Sequence, residues 1–475
     1  MPINKKTKIL ATLGPATNTK EIISDLVDAG VNVFRINFSH AEYDNVKARI
    51  KDIREINEEK NLHVAILADL QGPKLRVGVM EENVLLKEND TFIFTTDECI
   101  GNATKAFMTY QKFPKDVKKG ENILVDDGKL MFEVVSTNKK NEVTTKVIVG
   151  GVLSSKKGVN LPNTKISLPA LTDKDMKDAI FAIEQKVDWI ALSFVRNPED
   201  LRKLHDLISQ KSDYRIPVIA KIEKPEAVEN IGALIPYCDG LMVARGDLGV
   251  EIPMQEVPLI QKMLVQRAKL ARIPVIIATQ MMETMITNPV PTRAEVNDVA
   301  NSIMDGADAV MLSGETSVGA HPIKVIEKMS EIIRSVENSP LIKVPQTPPH
   351  IRTDRFITKA VCHHAALMAN DVKATAISTL TNSGYTAFQI SAWRPASTIL
   401  AFSSEKRILA KMSLLWGVRS FFYDKNVSTD DTVVDINLIA KERGYVATND
   451  YVINLTSMPV EAKGMVNTLR VSQIK

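Results

Sequence analysis

Eight short runs rich in Val, Ile and Ala recur along residues 8–315 and alternate with amphipathic helical patterns. The runs are KILATLG (8–14), VNVFRINF (31–38), HVAILADL (63–70), DWIALSF (188–194), PVIAKIE (217–223), GLMVARGD (240–247), PVIIATQ (274–280) and AVMLSGE (309–315). Nearly continuous apolar strands between helices are typical of a parallel sheet covered by helices. Eight such units favour a closed (β/α)8 TIM barrel. An open, doubly wound sheet remains the alternative, because periodicity alone does not require closure.

The regular spacing is interrupted once, between the third and fourth runs. From about Gly72 to Leu168, apolar and polar residues alternate, with Asp-Gly and Gly-Gly turns between the stretches. We expect an all-β domain inserted into a loop on the catalytic face of the barrel, where it can act as a lid.

A third region follows the eighth unit. The proline-rich segment VPQTPPH (344–350) indicates a linker. Beyond it, helices alternate with the strand-like runs KATAISTL (373–380), STILAFS (397–403), VRSFFY (418–423) and YVINLT (451–456). We therefore predict a first barrel part at 1–71, a β lid at 72–168, a second barrel part at 169–344 and a C-terminal α/β regulatory domain at 345–475.

Length and charge narrow the class of protein. A chain of 475 residues is too long for one hydrophobic core. The net charge of +3, from 60 basic and 57 acidic residues, gives no overall electrostatic signature of a nucleic-acid-binding or membrane-binding protein. No apolar run is as long as a membrane span, and the first residues lack the apolar region of a signal peptide. The 3 cysteines are far apart, as expected of thiols in a reducing compartment, so we expect a cytoplasmic protein.

Polar residues follow or end most of the eight apolar runs. In a TIM barrel these strand ends converge on one mouth, where catalytic residues lie. The polar residues are Arg35, Asn37, Ser39, His40, Asp69, Arg76, Ser193, Lys221, Glu223, Arg245, Asp247, Thr279, Gln280, Ser313 and Glu315. So many polar strand ends at one mouth argue against a purely structural role for all of them.

Two of these residues are candidate metal ligands. Glu223 and Asp247 end the adjacent fifth and sixth runs. Carboxylate oxygens suit Mg²⁺ or Mn²⁺, which keeps water and substrate oxygens as its other ligands. The alternative is that the two carboxylates only neutralise Lys221 and Arg245 beside them.

The candidate cations Arg35, Arg76, Lys157 and Lys221 indicate a strongly anionic substrate, most simply a phosphate. Neither a P-loop nor a GxGxxG pattern occurs in the sequence. Gly246, in ARGDLGVEIP (244–253), instead lies at a predicted strand-to-helix turn. Free N–H groups at such a turn can bind a carboxylate or a phosphate, although Gly246 could equally be only a turn residue.

Several longer motifs together resemble the pyruvate kinase family. They are KKGVNLP (156–162), KIEKPEAVENI (221–231), MVARGDLGVEIP (242–253), ATQMMETM (278–285) and PTRAEVNDVANSIMDGADAVMLSGET (291–316), with VFRINFSH (33–40) near the start. The resemblance extends from TLGPAT (12–17) to the C-terminus and includes the β insertion. It implies transfer of a phosphoryl group from phosphoenolpyruvate to ADP, which gives pyruvate and ATP, and a homotetramer.

The resemblance also implies roles for individual residues. Lys221 and Arg35 would stabilise the transferred phosphoryl group, and Glu223 and Asp247 would hold Mg²⁺. The remaining implied roles are substrate binding by Ala244, Gly246, Asp247 and Thr279, proton relay through water by Thr279 and Ser313, and nucleotide binding by Asn37, His40, Arg76 and Lys157. A second Mg²⁺ would arrive on ADP.

One departure from the family pattern concerns potassium. Many members bind K⁺ with Asn and Ser of the second strand and Asp-Thr of the third, and they carry Glu where this chain has Lys74. Here Asn37, Ser39 and Asp69 are kept, but Leu70 replaces the Thr. The DLQGPK segment resembles a K⁺-independent branch, in which the ammonium of Lys74 supplies the fixed positive charge. A solvated surface lysine is the alternative.

A second departure concerns regulation. TLTNSGYTA (379–387) resembles the effector-phosphate loop of the family, with Thr379, Thr381, Ser383 and Gly384 as candidate ligands. Tyr385 stands where many members have Arg. This substitution weakens the case for a sugar bisphosphate and leaves AMP, another sugar phosphate or no effector open.

Two other functions fit parts of the pattern. A Mg²⁺-dependent pyruvate-forming lyase also uses a Glu–Asp metal pair in a barrel, but such a lyase does not need an ADP lid. A catalytically silent metabolite sensor could keep the fold, but it would not need every reactive position that this chain retains.

Overall fold

The computed structural model describes residues 5–82, 84–162, 164–340, 355–425, 427–458 and 465–475. Eight parallel strands form a closed barrel, and their order around it is Lys8–Thr12, Ala309–Leu312, Val275–Ala278, Gly240–Ala244, Val218–Ile222, Trp189–Leu192, Ala65–Asp69 and Val33–Asn37. The first barrel strand in the chain pairs with both the second and the last. Leu10 lies opposite Val33, and Lys8 lies opposite Ala309. This pairing closes the sheet and excludes the open, doubly wound alternative.

The barrel is built from two parts of the chain. The first part comprises β1 Lys8–Thr12, α1 Lys20–Ala29, β2 Val33–Asn37, α2 Tyr43–Lys60 and β3 Ala65–Asp69. The strands of the second part are β12 Trp189–Leu192, β13 Val218–Ile222, β14 Gly240–Ala244, β15 Val275–Ala278 and β16 Ala309–Leu312. Its helices are α4 Asp173–Glu184, α5 Pro198–Lys211, α6 Pro225–Glu229, α7 Ile231–Leu234, α8 Arg245–Glu251, α9 Val257–Ala271, α10 Arg293–Asp305, α11 Gly314–Ser317 and α12 Pro322–Glu337.

Local sequence explains these elements. The strands β1, β3, β13 and β14 are buried along their whole length, which is why their sequences are nearly continuous apolar runs. Two of the covering helices begin with capping boxes, Thr172 with Asp175 and Thr292 with Glu295. These caps satisfy backbone N–H groups that would otherwise lack partners at the helix start.

In its described residues, the inserted domain is all-β apart from one short helix. It contains β4 Val84–Leu86, β5 Thr91–Thr95, β6 Lys105–Phe107, α3 Phe113–Asp116, β7 Asn122–Val125, β8 Leu130–Thr137, β9 Glu142–Val149, β10 Gly151–Leu153 and β11 Val159–Asn160. A six-stranded sheet, β11-β7-β8-β9-β5-β6, and the pair β10-β4 surround a core of their own. Phe92, Phe94 and Phe132 pack there with ring centroids 5.1–5.4 Å apart.

The described residues of the C-terminal domain form a five-stranded sheet, whose order is Val418–Phe422, Thr398–Ser403, Ala376–Leu380, Tyr451–Thr456 and Thr468–Gln473. Its elements are α13 Phe356–Asp371, β17 Ala376–Leu380, α14 Tyr385–Ala392, β18 Thr398–Ser403, α15 Lys406–Lys411, β19 Val418–Phe422, α16 Thr429–Glu442, β20 Tyr451–Thr456 and β21 Thr468–Gln473. The four predicted strands are present and parallel. The antiparallel strand β21 was not predicted, because all of its residues are partly or fully exposed and its sequence lacks an apolar run.

The fold class predicted from the sequence is therefore confirmed. The exact boundaries at 71/72 and 168/169 stay predictions, and the segment 344–350 with the boundary at 344/345 lies outside the described residues. No helix in the described part of the chain is long and apolar enough to cross a membrane.

The C-terminal domain docks on the end of the barrel opposite the mouth, through a buried ion pair. Arg394 lies 3.0 Å from Asp308 and donates to Gly306 O at 2.6 Å. Both charged side chains are less than a tenth exposed. The indole of Trp416 lies under the guanidinium, 4.8 Å from ring centroid to Cζ, and Trp189 of the barrel donates to Lys411 O at 3.2 Å.

We predict that Arg394→Ala lowers the free energy of unfolding by about 3 kcal/mol, because it leaves Asp308 as a buried charge without its partner. Urea denaturation monitored by tryptophan fluorescence measures this change, because Trp189 and Trp416 lie at the interface. The matched control is Arg470→Ala, which removes an exposed pair with Asp430 and should cost no more than about 1 kcal/mol. Equal effects of the two substitutions would contradict the anchoring role of Arg394.

Candidate active site

The closed barrel brings the predicted strand-end residues to one mouth. Arg35 lies within β2, Asp69 is the last residue of β3, and Lys221 lies near the end of β13. After β14 the chain enters α8 directly at Arg245, so Gly246 and Asp247 form the first turn of that helix. Thr279 and Ser313 follow β15 and β16.

A buried ion network occupies the centre of this mouth. The Nε atom of Arg35 lies 2.6 Å from Asp69 Oδ2, and Lys221 Nζ lies 3.2 Å from Asp69 Oδ1. Lys221 Nζ also lies 2.9 Å from Glu223 Oε1. Two cations and two carboxylates are thus held together where Asp69 is only 1% exposed.

The network favours the charged forms of Asp69 and Lys221. Burial acts to raise the pKa of Asp69, but Lys221 and Arg35 outweigh it and hold that pKa below its ordinary value. Burial acts to lower the pKa of Lys221, but Asp69 and Glu223 outweigh it and raise that pKa above its ordinary value. Lys221 is therefore an ammonium at neutral pH, and it is held at a fixed place in the mouth.

Ser193, which follows β12, positions this ammonium. Lys221 Nζ donates to Ser193 Oγ at 2.7 Å, and the hydroxyl donates onward to Leu70 O at 2.7 Å. The neighbouring Phe194 has φ 55° and donates its backbone N–H to Glu223 Oε2 at 2.7 Å. A bulky residue in the left-handed region is strained, and such strain is concentrated at functional sites. Sequence reasoning placed Ser193 at the mouth but gave it no role.

Glu223 and Asp247 form a donor set that suits Mg²⁺. Burial raises the pKa of Glu223, Lys221 opposes this, and the charge of Asp247 raises it further. Asp247 itself is exposed toward the mouth. In the described residues no group of three or more His, Cys, Asp or Glu could hold a metal. Two carboxylates are sufficient for Mg²⁺, which takes its other ligands from water and substrate.

The alternative that both carboxylates only neutralise a neighbouring cation fits Glu223 but not Asp247. Glu223 does pair with Lys221. The guanidinium of Arg245, however, pairs with Asp298 at 2.7 Å and donates to Thr279 O at 2.7 Å. Asp247 is therefore not occupied in neutralising Arg245.

Thr279 and Gly246 come into direct contact at the mouth. The backbone N–H of Gly246 donates to Thr279 Oγ1 at 2.7 Å. Thr279 and Gln280 have φ 69° and 55°, a conformation in which two successive non-glycine residues are strained. A Cβ atom on Gly246 would lie 3.3 Å from Thr279 Oγ1, so a side chain there would crowd this hydroxyl.

Ser313 is held by a buried carboxylate. Its backbone N–H donates to Glu315 Oε2 at 2.7 Å, and Met282 N–H donates to Glu315 Oε1 at 3.2 Å. Burial raises the pKa of Glu315, although these backbone donors oppose it. The contact links the loop after β15 to the loop after β16.

The predicted nucleotide residues lie at the rim and in the inserted domain. Asn37 accepts the Ser39 N–H at 3.1 Å, and His40 is exposed. In the inserted domain, Arg76 donates to Lys156 O at 2.9 Å, and Lys157 pairs with Asp126 at 2.9 Å.

Lys74 is exposed and lines the cleft between the inserted domain and the barrel, as does Asp247. No ion pair joins Lys74 to Asp69 in the described part of the chain, and both oxygens of Asp69 face Arg35 and Lys221 instead. The proposed replacement of K⁺ by Lys74 thus stays a prediction.

The candidate effector loop lies in the C-terminal domain. Thr379 is buried in β17, and Thr381 Oγ1 accepts the Gly384 N–H at 3.0 Å. Gly384 has φ 81°, which permits the turn into α14, and Ser383 Oγ accepts the Tyr385 N–H at 3.4 Å. The guanidinium of Arg355 covers the ring of Tyr385, 4.4 Å from Cζ to the centroid.

A three-residue contact that was not predicted joins the inserted domain to the barrel. Asn160 of β11 donates to Glu251 Oε1 at 2.8 Å, and Lys224 Nζ lies 2.6 Å from the same oxygen. Glu251 and Lys224 are only 4% and 6% exposed. Lys224 directly follows Glu223, and Glu251 lies one helical turn after Asp247. We call Asn160, Lys224 and Glu251 the lid contact.

Comparisons with known proteins agree over almost the whole chain. The family model for the pyruvate kinase barrel domain matches residues 4–326, and the model for the pyruvate kinase alpha/beta domain matches residues 359–472. The chain is 41% identical to pyruvate kinase 2 of Synechocystis sp. over 479 residues, covering 100% of this chain and 80% of the relative. It is 38% identical to the pyruvate kinase of Clostridium acetobutylicum over 477 residues, covering 99% of this chain and 100% of the relative.

A solved structure is also similar. The crystal structure of a pyruvate kinase from Cryptosporidium parvum matches with a TM-score of 0.92 and 32% sequence identity. The match covers 99% of this chain and 96% of that chain.

We predict that Asn160→Ala loosens the inserted domain, because it removes a hydrogen bond to a buried carboxylate worth about 1.5–3 kcal/mol. Amide hydrogen exchange of peptides covering residues 155–170 should become about tenfold faster or more. Asn141→Ala is the matched control, since that side chain bonds Asp97 at the exposed tip of the same domain. Unchanged exchange in Asn160→Ala would rule out a holding role for the lid contact.

Proposed function

The chain belongs to the pyruvate kinase family, and we propose from this premise how its residues carry out the family's reaction. That reaction transfers a phosphoryl group from phosphoenolpyruvate to ADP and gives pyruvate and ATP, in the last step of glycolysis. The chain is accordingly a transferase, and we place it among the phosphotransferases. Neither the lyase nor the silent sensor is supported, because both family domains match and relatives are about 40% identical over the full chain.

The observation that carries the assignment of residues is the buried network of Arg35, Asp69, Lys221 and Glu223. During transfer, the P–O bond to the enolate oxygen breaks and a P–O bond to the terminal oxygen of ADP forms. Negative charge moves across the phosphoryl group, so catalysis depends mainly on positioned positive charge. Lys221 and Arg35 supply this charge, and Asp69 keeps both cations in place.

Glu223 and Asp247 would hold Mg²⁺ or Mn²⁺, which when bound neutralises charge on the phosphoryl and enolate oxygens. Substrate binding also involves the turn at Ala244, Gly246 and Asp247, together with Thr279. The Gly246 N–H already donates to Thr279 Oγ1, so the support from this contact is only that it holds the turn beside the end of β15.

Once the phosphoryl group has left, the enolate carbon takes a proton and the enolate becomes pyruvate. Thr279 and Ser313 are the candidates for relaying this proton through water. A hydroxyl is a weak acid, so a chain of hydroxyl and water suits the step better than one hydroxyl alone. Support comes from Glu315, whose carboxylate accepts hydrogen bonds from the backbone N–H groups of Ser313 and of Met282, in the loop after Thr279.

The nucleotide phosphates would bind Asn37, His40, Arg76 and Lys157, with a second Mg²⁺ arriving on ADP. Arg76 and Lys157 belong to the inserted domain, and the other two belong to the barrel rim. Closure of the inserted domain over the mouth would therefore assemble the nucleotide site and exclude water.

We further infer a monovalent-cation site at Asn37, Ser39 and Asp69 in which Lys74 makes K⁺ dispensable. Lys74 lies on the segment that follows β3, and its exposed ammonium lines the same cleft as Asp247. In the C-terminal domain, Thr379, Thr381, Ser383 and Gly384 would form the effector-phosphate loop.

Family membership also supports a homotetramer. Large apolar side chains exposed on the barrel, such as Met254 and Leu259, at 76% and 70% exposure, would be covered by such an assembly. Free thiols at Cys99, Cys238 and Cys362, together with the substrates, support a cytoplasmic location.

The first test is a lactate dehydrogenase-coupled assay with phosphoenolpyruvate and ADP. Lys221→Met should lower kcat by about 10²- to 10³-fold, because it removes positive charge that acts on the transferred group. Mn²⁺ binding, measured by electron paramagnetic resonance, should persist because both carboxylates remain. Lys262→Met on α9, whose ammonium pairs with Asp305 away from the mouth, is the matched control. Full activity of Lys221→Met would refute its role.

The second test concerns potassium. Turnover of the wild type should be nearly unchanged when K⁺ is replaced by a large organic cation, and Lys74→Glu should create a requirement for K⁺. Lys74→Gln separates loss of the ammonium from gain of a carboxylate. Strong activation of the wild type by K⁺ would disprove the replacement.

A further inference from the structure

A buried ion pair lies directly beside both candidate metal ligands. Lys224 Nζ is 2.6 Å from Glu251 Oε1, and the two side chains are only 7% and 1% exposed. Lys224 follows Glu223 in the chain, and Glu251 ends α8, four residues after Asp247. Neither Lys224 nor Glu251 is among the residues assigned to the reaction.

The pair connects the two segments that carry the candidate metal ligands. Asp247 and Glu251 are four residues apart in one helix, so they lie on the same face of α8. Both of them line the cleft between the inserted domain and the barrel, and Lys224 lines it too. The bond between Lys224 and Glu251 therefore ties the face of α8 that carries Asp247 to the loop that carries Glu223.

The other end of α8 is held by separate contacts. Arg245 donates to Thr279 O at 2.7 Å, and the Gly246 N–H donates to Thr279 Oγ1 at 2.7 Å. These bonds hold the beginning of the helix beside the end of β15. The bond between Lys224 and Glu251 holds the end of the helix against the loop after β13. Two different strands of the barrel thus fix the two ends of α8.

Phe194 contacts both neighbours in the loop after β13. Its ring lies under the ammonium of Lys224, with Nζ 5.8 Å from the ring centroid. Its backbone N–H donates to Glu223 Oε2 at 2.7 Å. The candidate metal ligand and the lysine that follows it are therefore held by one residue as well as by their shared backbone.

Stability alone does not explain the pair of Lys224 and Glu251. A buried ion pair often contributes no more to the free energy of unfolding than apolar residues of the same volume, because both charges lose their water. Glu251 Oε2 also has no hydrogen-bond partner among the described residues, which adds to the cost of burying this carboxylate. A pair of this kind can instead fix the geometry between the two segments that it joins.

The candidate metal ligands need such a fixed geometry. Before a metal binds, Glu223 and Asp247 are two carboxylates whose negative charges repel each other. Ligands that are held in place before the metal arrives need less rearrangement to bind it, so the affinity for the metal is higher.

We propose that Lys224 and Glu251 are positioning residues for the metal. Their bond keeps α8 against the loop after β13, so that Asp247 and Glu223 bind the same Mg²⁺ or Mn²⁺. This inference rests on the proposed function, in which Glu223 and Asp247 are the metal ligands.

Mn²⁺ titration of the full-length protein without substrates, followed by electron paramagnetic resonance, tests the proposal. Lys224→Met and Glu251→Gln each remove the ion pair. Each should weaken Mn²⁺ binding about tenfold or more, as is typical when a contact that orients a metal ligand is lost. Lys262→Met is the matched control, because its ammonium pairs with Asp305 away from the mouth. It should bind Mn²⁺ as the wild type does.

The double variant Lys224→Met/Glu251→Gln separates positioning from stability. Each single variant leaves one buried charge without its partner and should lower the midpoint of urea denaturation. The double variant leaves neither charge, so its midpoint should return toward that of the wild type. Its Mn²⁺ binding should nevertheless stay about tenfold weaker or more. Recovery of Mn²⁺ affinity together with stability would overturn the proposal.

Asp247→Asn distinguishes failure of this inference from failure of the proposed function. It changes a candidate ligand itself, so it should weaken Mn²⁺ binding more than loss of the ion pair does. Equal Mn²⁺ binding by the wild type and Asp247→Asn would show that the assignment of the metal ligands is wrong. Weak binding by Asp247→Asn with wild-type binding by the double variant would keep that assignment and refute only the positioning role.

Discussion

The buried carboxylate of Asp69 is the constraint on which the rest of the mouth depends. It is the last residue of β3, and it holds Arg35 from β2 and Lys221 from β13 within 3.2 Å. Two buried cations near each other would be unstable without this anion. Fixed positive charge suits phosphoryl transfer, because cations that are already in position need no reorganisation during the reaction.

The same network extends outward to the other parts of the molecule. Lys221 reaches Glu223, whose sequence neighbour Lys224 belongs to the lid contact with Asn160 of the inserted domain. The candidate metal ligands Glu223 and Asp247 and the lid contact thus lie on the same two segments, the loop directly after β13 and the helix α8. The inserted domain therefore contacts the segments that carry the candidate metal ligands, although the inserted domain and the barrel have separate hydrophobic cores.

Much of the fold could be read from the sequence because buried parallel strands leave a strong signal. Their runs are apolar on both faces, and each strand end faces a single mouth once the sheet closes. The short or half-exposed elements gave no such signal, as β21 illustrates. Contacts between distant segments of the site also could not be predicted from the sequence. Ser193 bonds Lys221, which is 28 residues away, and Glu251 bonds Asn160, which is 91 residues away. No local motif signals such a pair.

The class of fold and the candidate reactive side chains could be predicted from the sequence, because both predictions depend on residue type and on order along the chain. The pairing of those side chains could not be predicted from the sequence. The structure shows that Arg245 pairs with Asp298, that Asp69 faces Arg35 and Lys221, and that Arg394 of the C-terminal domain pairs with Asp308 of the barrel. Pairing depends on distance and burial, which arise only after the barrel has closed and the C-terminal domain has docked.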